Sequence, residues 1–112
     1  MYFIKKTKDF HDIFNNKKRI SGNLFSVYYK VYTNGNNGLK VGIIAGKKVG
    51  NAVVRNKFKR RVRAYFRENK SLWNYPLGLV IVAFGNLKNS TWEQIKNQLD
   101  NIVKRIVSYE NI

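Results

Sequence analysis

The sequence KKVGNAVVRNKFKRRVRAYFR at residues 47–67 has the strongest pattern in the chain, with nine Lys or Arg residues and no acidic one. Asn51 is a good N-cap, and nothing between Ala52 and about Arg67 breaks a helix. At ~100° per residue, the apolar side chains of this helix fall on one arc. The arc contains Val54, Phe58, Val62, Tyr65 and Phe66. The stretch therefore predicts an amphipathic helix that packs against a sheet.

The opposite face of this helix is almost purely cationic. It contains Asn56, Lys59, Arg60, Arg63 and Arg67, with Arg55 at its border and Lys57 and Arg61 flanking the other side. A solvated face normally mixes charges of both signs, and like charges four residues apart destabilise an isolated helix by ~0.2–0.5 kcal/mol per pair. The pattern favours a phosphate-binding surface over an ordinary solvated face. DNA and RNA fit this argument equally well.

The rest of the composition agrees with an anionic partner. The chain has 22 Lys and Arg against 6 Asp and Glu, which gives a net charge of +16. The alternative to an anionic partner is that the protein is basic and soluble without binding one. With 112 residues, 44% of them hydrophobic, we expect one domain over residues 1–112. The absence of Cys excludes disulfides and thiolate zinc sites. No apolar run reaches the ~20 residues of a membrane span, and no secretory signal is evident, so we expect a cytoplasmic protein without a membrane partner.

Two further helices are predicted on either side of this central stretch. Residues 7–17 form the first, with Thr7 as N-cap and with Phe10, Ile13 and Phe14 in the core. The last helix begins at Ser90, which has capping-box spacing to Glu93. Its apolar stripe contains Trp92, Ile95, Leu99, Ile102, Val103 and Ile106. Core packing is the expected role of that stripe.

Three segments have the composition of strands. Residues 24–33 (LFSVYYKVYT) and 39–46 flank the turn-like NGNNG, which favours an antiparallel hairpin between them. Residues 77–84 (LGLVIVAF) are nearly all apolar, as in a central strand buried on both faces. In the first strand, alternation gives Phe25, Val27, Tyr29 and Val31 a core face and leaves Leu24, Ser26, Tyr28, Lys30 and Tyr32 on the other. These tyrosines could stack unpaired bases or simply pack as half-buried strand residues.

Catalytic chemistry is scarce in the sequence. The chain has one His, His11, and six scattered carboxylates, whereas a two-metal nuclease needs clustered acids. No metal-ligand spacing, phosphate-binding loop or nucleophile motif is evident. The sequence therefore predicts binding, with no catalytic residue of its own.

Residues 47–63, KKVGNAVVRNKFKRRVR, closely resemble the signature of the bacterial ribonuclease P protein subunit. The likeness extends over nearly the whole chain, through Asp9-Phe10, NLFSVYY at residues 23–29, the apolar strand near residue 80 and the final helix. Lys57 stands where the motif has a second Arg, which keeps the charge but loses a bidentate fork. Ala64 stands where many members have Glu.

The resemblance implies an α+β fold, an α-β sandwich of order αβββαβα whose small central sheet has a left-handed βαβ crossover through the basic helix. Pattern rules alone predict a right-handed one. It also implies a function, in which a catalytic RNA with Mg²⁺ cleaves the 5′ leader from precursor tRNA. The protein binds that RNA and the leader and needs no cofactor or protein partner of its own.

The resemblance also implies roles for individual residues. Those expected to contact the catalytic RNA are Lys47, Lys48, Arg55, Asn56, Lys59, Arg60 and Arg63. Those expected in a cleft for the single-stranded leader are Phe10, Phe14, Tyr28, Lys30 and Lys59, which moves Phe10 and Phe14 from a core role to a binding role. The competing hypotheses are a structural RNA-binding protein of ribosomal type and a free-standing nuclease.

Overall fold

A computed structural model describes residues 1–33 and 38–112 as three helices and five strands. In chain order these are β1 (Tyr2–Phe3), α1 (Thr7–Asn15), β2 (Lys18–Ser21), β3 (Phe25–Val31), β4 (Lys40–Ile44), α2 (Ala52–Glu68), β5 (Leu77–Ala83) and α3 (Trp92–Glu110). The α+β class and the order αβββαβα are confirmed, with the two-residue β1 added at the start. None of the described helices is both long and apolar enough to cross a bilayer.

The five strands form one mixed sheet in the order β1-β4-β5-β3-β2. The central strand β5 runs antiparallel to β3 and parallel to β4, and Val80 lies between Tyr28 and Gly42 in this register. The predicted central position of β5 is confirmed, and β4, α2 and β5 form a parallel βαβ unit. The left-handed sense of its crossover stays a prediction.

The predicted hairpin between residues 24–33 and 39–46 is wrong, because β5 separates β3 from β4 in the sheet. β5 is apolar on both faces and hydrogen-bonds to both neighbours, so its burial outweighs the local preference of the Asn-Gly turn. Residues 34–37 of the predicted turn, which was placed at 34–38, lie outside the described residues. β3 pairs instead with β2, which places Arg19 opposite Tyr28.

One face of the sheet packs against α2 and α3. Val27, Tyr29 and Leu79 point into this core. The helices add Phe58, Val62, Tyr65 and Phe66 from α2, and Ile95, Leu99, Ile102, Val103 and Ile106 from α3. Both predicted helical stripes are confirmed, although Val54 and Trp92 are only half-buried.

The other face of the sheet is partly covered by α1. Two glycines make room for it, since a Cβ at Gly42 would overlap the Phe10 ring, and one at Gly78 would lie 2.8 Å from Cδ1 of Ile13. Ile13 is buried there, as predicted, beside Val80. Because α1 is short, part of this face stays open.

Two predicted helix starts are wrong. Thr7 is the first residue of α1, whose N-cap position is Lys6 without a side-chain cap. In α3 the capping box is formed by Thr91 and Gln94, one residue later than predicted. The Ser90 hydroxyl instead donates to the Leu87 carbonyl at 2.7 Å, closing the preceding turn.

Candidate nucleic-acid interface

The start of α2 is fixed by the chain that precedes it. Lys47–Val49 forms one turn of 3-10 helix that buries Val49 and leaves both lysines exposed. Gly50 follows with φ 152°, and a Cβ there would lie 2.8 Å from Cγ1 of Val54. The side chain of Asn51 then accepts a hydrogen bond from the amide of Val54 at 3.0 Å, so the predicted N-cap is confirmed.

The outer face of α2 presents the predicted cations to solvent. Asn56, Lys57, Arg60 and Arg67 are exposed, and Arg55, Lys59, Arg61 and Arg63 are half-buried. The described residues form two ion pairs, Lys18–Glu110 and Lys30–Asp12, and neither involves α2. The positive charge of this face is therefore not compensated by carboxylates of the described chain, which suits a polyanionic ligand.

Arg55 differs from the other cations because its Nε is buried without a hydrogen-bond partner among the described residues. A buried donor left unpaired costs about 1–3 kcal/mol. Because this atom is buried, a ligand oxygen would reach it only if the Arg55 side chain moved on binding.

On the open face of the sheet, aromatic rings line a shallow apolar surface. Phe14 meets Tyr28 edge-to-face, with ring centroids 4.8 Å apart and planes at 77°. The half-buried residues Phe10, Phe14, Tyr28, Ile44 and Val82 surround Ile13 and Val80. We call these five half-buried residues the aromatic cleft. It joins three of the residues that the resemblance assigns to the leader.

Arg19 completes one side of this cleft, and the sequence patterns did not identify it. Its guanidinium lies 5.8 Å from the centroid of the Tyr28 ring, and its Nη1 donates to the Tyr28 hydroxyl at 3.4 Å. With four residues, β2 is too short for a periodic sequence pattern to identify it as a strand. The pairing of β2 with β3 brings this cation to the aromatic surface.

Lys30 lies two residues from Tyr28 on the same face, but it is already paired. Its ammonium donates to Oδ1 of Asp12 at 2.8 Å, and the Tyr32 hydroxyl donates to Oδ2 at 3.1 Å. The hydrogen bond from Lys30 lowers the pKa of Asp12 below its usual value, while burial raises the pKa of Tyr32. Lys30 thus offers less free charge than the α2 cations, and its role as a leader contact stays a prediction.

Lys59 and the aromatic cleft belong to elements on opposite faces of the sheet. It belongs to α2, whose buried side chains contact the opposite face of the sheet. The structure brings together Phe10, Phe14, Tyr28 and Lys30, and separately Lys47, Lys48 and the α2 cations. A shared site for Lys59 and the aromatic cleft stays a prediction.

The described residues supply binding groups more than catalytic ones. No three His, Asp or Glu side chains within residues 1–33 and 38–112 are placed to hold a metal ion. His11 is exposed on α1. Cations and aromatic rings can hold phosphates and bases, and neither cleaves a phosphodiester bond by itself.

The sequence matches the Ribonuclease P family model over residues 1–107. It is 48% identical over 104 residues to the ribonuclease P protein component of Mycoplasma capricolum, with 92% of this chain and 94% of that protein covered. It is 36% identical to the corresponding protein of Mycoplasma mycoides, with the same coverage of each.

Solved structures show the same fold. The Staphylococcus aureus RNase P protein superposes with a TM-score of 0.82 at 33% identity, covering 95% of each chain. The Thermotoga maritima RNase P protein gives a TM-score of 0.78 at 29% identity, covering 91% of this chain and 94% of that one. The α+β sandwich is therefore shared with proteins of this kind.

Proposed function

Since this chain belongs to the ribonuclease P protein family, we propose that it is the protein subunit of a ribonuclease P ribonucleoprotein and assists 5′ maturation of tRNA. The single observation that carries this proposal beyond family membership is the uncompensated cationic face of α2. Its opposite face is held in the core by Phe58, Val62 and Phe66, so the cations project from a rigid element. A rigid row of cations can match the phosphates of a folded RNA without losing much conformational entropy on binding.

We assign the catalytic-RNA contact to this face and to the turn before α2. Arg60 is its exposed centre, with Lys59 and Arg63 beside it. Lys47 and Lys48 extend the cationic surface ahead of α2. Arg55 borders this face and is half-buried, and the neighbouring Asn56 is exposed, so both side chains are included in the assigned contact.

We assign the single-stranded leader of precursor tRNA to the aromatic cleft. Its rings are partly exposed and can stack unpaired bases, while Arg19 stands ready for a phosphate. Double-stranded RNA hides its bases from such a surface. The cleft therefore favours the leader over the paired stem of the tRNA.

Cleavage itself is assigned to the RNA subunit with Mg²⁺. The described protein residues that could hold a metal are scattered, so the ions would be held by RNA phosphates and the protein would raise affinity for substrate and ions. The protein thus serves an endoribonuclease as a non-catalytic subunit.

The test is reconstitution with a bacterial ribonuclease P RNA and a precursor tRNA at moderate salt. We expect the protein to lower the Mg²⁺ or substrate concentration needed for leader removal. RNA-free protein is the control and is expected not to cleave. Failure to stimulate any such RNA would refute the proposal, and copurification with ribosomal RNA alone would favour a ribosomal-type role.

A further inference from the structure

A second cationic surface lies on the flank of α2 that faces the start of α3. A cavity of about 90 Å³ opens there between the two helices and the turn Leu87–Asn89. Its apolar floor is Val54, Phe58, Leu87 and Ile95, and its rim carries Lys57, Arg61, Lys88 and Ser90. We call this cavity and its rim the α2–α3 groove.

One cation of this groove has an aromatic neighbour, and another lies on an anchored turn. The Arg61 guanidinium lies 6.0 Å from the centroid of the half-buried Trp92 ring. This distance is at the outer limit of a cation-π contact, which leaves the donors of the guanidinium available to a ligand. Lys88 is exposed on a turn that the buried Leu87 anchors. The groove therefore presents cationic donors around an apolar floor.

No carboxylate of the described chain lines the groove. Glu93 is the nearest acid in sequence, and it occupies the first turn of α3, where the helix dipole favours it. Its cations consequently have no carboxylate partner among the described residues that line the groove. The net charge of +16 on the whole chain adds to the positive potential there.

We propose that the α2–α3 groove binds a phosphate group of the RNA backbone through Arg61 and Lys88, as a contact surface separate from the outer face of α2. This proposal rests on the RNA-binding role inferred above. RNA would then contact α2 from two sides, which fixes the rotation of the protein about the helix axis. A single row of phosphate contacts leaves that rotation free.

The first test compares two double variants in binding to a bacterial ribonuclease P RNA. Arg61→Ala/Lys88→Ala removes one Arg and one Lys from the groove. Lys104→Ala/Arg105→Ala removes the same pair from exposed positions of α3, ~18 Å further along the helix from Trp92 and beyond the ~10 Å screening length. Affinity is measured between about 50 and 200 mM salt.

We expect the groove variant to lower the salt slope by about two, so that its affinity falls about tenfold less than that of the wild type over this range. The control should keep the wild-type slope. Equal slopes for both double variants would overturn the proposal. If Arg60→Gln still weakens binding in that case, the outer face of α2 and the proposed function stand.

The variant Lys88→Glu separates loss of binding from loss of folding, because this side chain is exposed and its replacement removes no core contact. Its thermal melting curve should match that of the wild type while its RNA affinity falls at low salt. Unchanged affinity with unchanged melting would also overturn the proposal.

A direct localisation uses the absence of Cys in the chain. Asn89→Cys carries a tethered hydroxyl-radical source beside the groove, and Asn101→Cys carries the same source on an exposed part of α3 away from it. We expect RNA cleavage from position 89 alone. Cuts in the ribonuclease P RNA identify its phosphates as the ligand, and cuts only in added precursor tRNA identify the substrate. Absence of cuts from position 89 in both RNAs would contradict the proposal.

Discussion

The Tyr28 ring in the aromatic cleft contacts side chains from two neighbouring elements. Phe14 from α1 packs edge-to-face with this ring, and Arg19 from β2 donates to its hydroxyl. Strand alternation predicted that this ring faces away from the α2 core, and the structure confirms it. The choice between packing and base stacking stays open, because a half-buried ring with part of its surface free fits both roles.

The substitution Tyr28→Ala is expected to weaken binding of leader-bearing precursor tRNA to the reconstituted particle. Loss of a base-stacking ring costs about 1–3 kcal/mol, which corresponds to roughly five- to hundredfold. Binding of mature tRNA, which lacks the leader, should change little. Tyr109→Ala, at an exposed tyrosine of α3, is the matched control. Equal losses for both tRNAs would rule out a leader contact.

Substitution of Arg60 is the simplest test of the α2 face, since its side chain is exposed and its replacement removes little packing. Arg60→Gln should weaken binding to ribonuclease P RNA and lower the salt slope by about one, because one phosphate contact is lost. Binding titrations at several salt concentrations measure this slope. Lys104→Gln is the control, and a slope change of the same size there would show a general charge effect.

At the scale of elements, the presentation of α2 depends on the turn that precedes it. Gly50→Ala should lower the free energy of unfolding by about 1–3 kcal/mol, because φ 152° is strained for Ala and its Cβ would press on Val54. Gly46→Ala is the matched control, since φ there is −78° and its Cβ would meet nothing within 4 Å. Urea unfolding of both variants measures the difference, and equal stability would contradict the strain.

The contact between α1 and β3 predicts a pH dependence. The pKa of Asp12 is lowered in the folded protein by Lys30, so the interaction stabilises the fold above the unfolded value of 3.8 and is lost as pH falls through the lower folded pKa. Both side chains are partly exposed, so the coupling free energy should be at most about 1 kcal/mol near neutral pH.

A double-mutant cycle with Asp12→Asn and Lys30→Met isolates this coupling. Unfolding measured near neutral pH and again below the folded pKa should show it disappear in acid. The pair Lys18–Glu110, which joins β2 to α3, is left intact as the internal reference. A coupling that persists in acid would mean that charge is not its source.

The long, periodic elements could be predicted from sequence, and the short ones could not. The arcs of α2 and α3 repeat over several turns, and β5 is apolar throughout, so burial alone assigns them. β1 and β2 have two and four residues, too few for a period to show, and Arg19 was missed with them. The β3–β4 hairpin was wrong because a turn motif reports local preference, whereas strand order depends on where β5 is buried.

Over the whole molecule, the basic residues far outnumber the acidic residues that could balance their charge. The Cα radius of gyration is 13.3 Å, so a molecule of small size has a net charge of +16. Of the acids, Asp12 and Glu110 are paired with lysines, and Asp100 accepts a hydrogen bond from Tyr65. Self-repulsion on the α2 face is therefore expected to lower the stability of the free protein. Under the proposed function, the same charge provides RNA affinity.

If charge on the α2 face opposes folding, Arg60→Gln, which is expected to weaken RNA binding, should stabilise the free protein at low salt. Arg60 lies three residues from both Lys57 and Arg63, so its loss relieves two like-charge pairs and should raise the free energy of unfolding by about 0.4–1 kcal/mol. Lys104→Gln is the control, because Lys104 follows Asp100 by four residues and its loss removes a favourable pair. Urea unfolding at low and high salt measures both variants. The gain of Arg60→Gln should shrink at high salt, where screening already relieves the repulsion. A variant less stable than the wild type at low salt would show that Arg60 stabilises the fold. It would contradict the expectation that the charge of Arg60 destabilises the free protein.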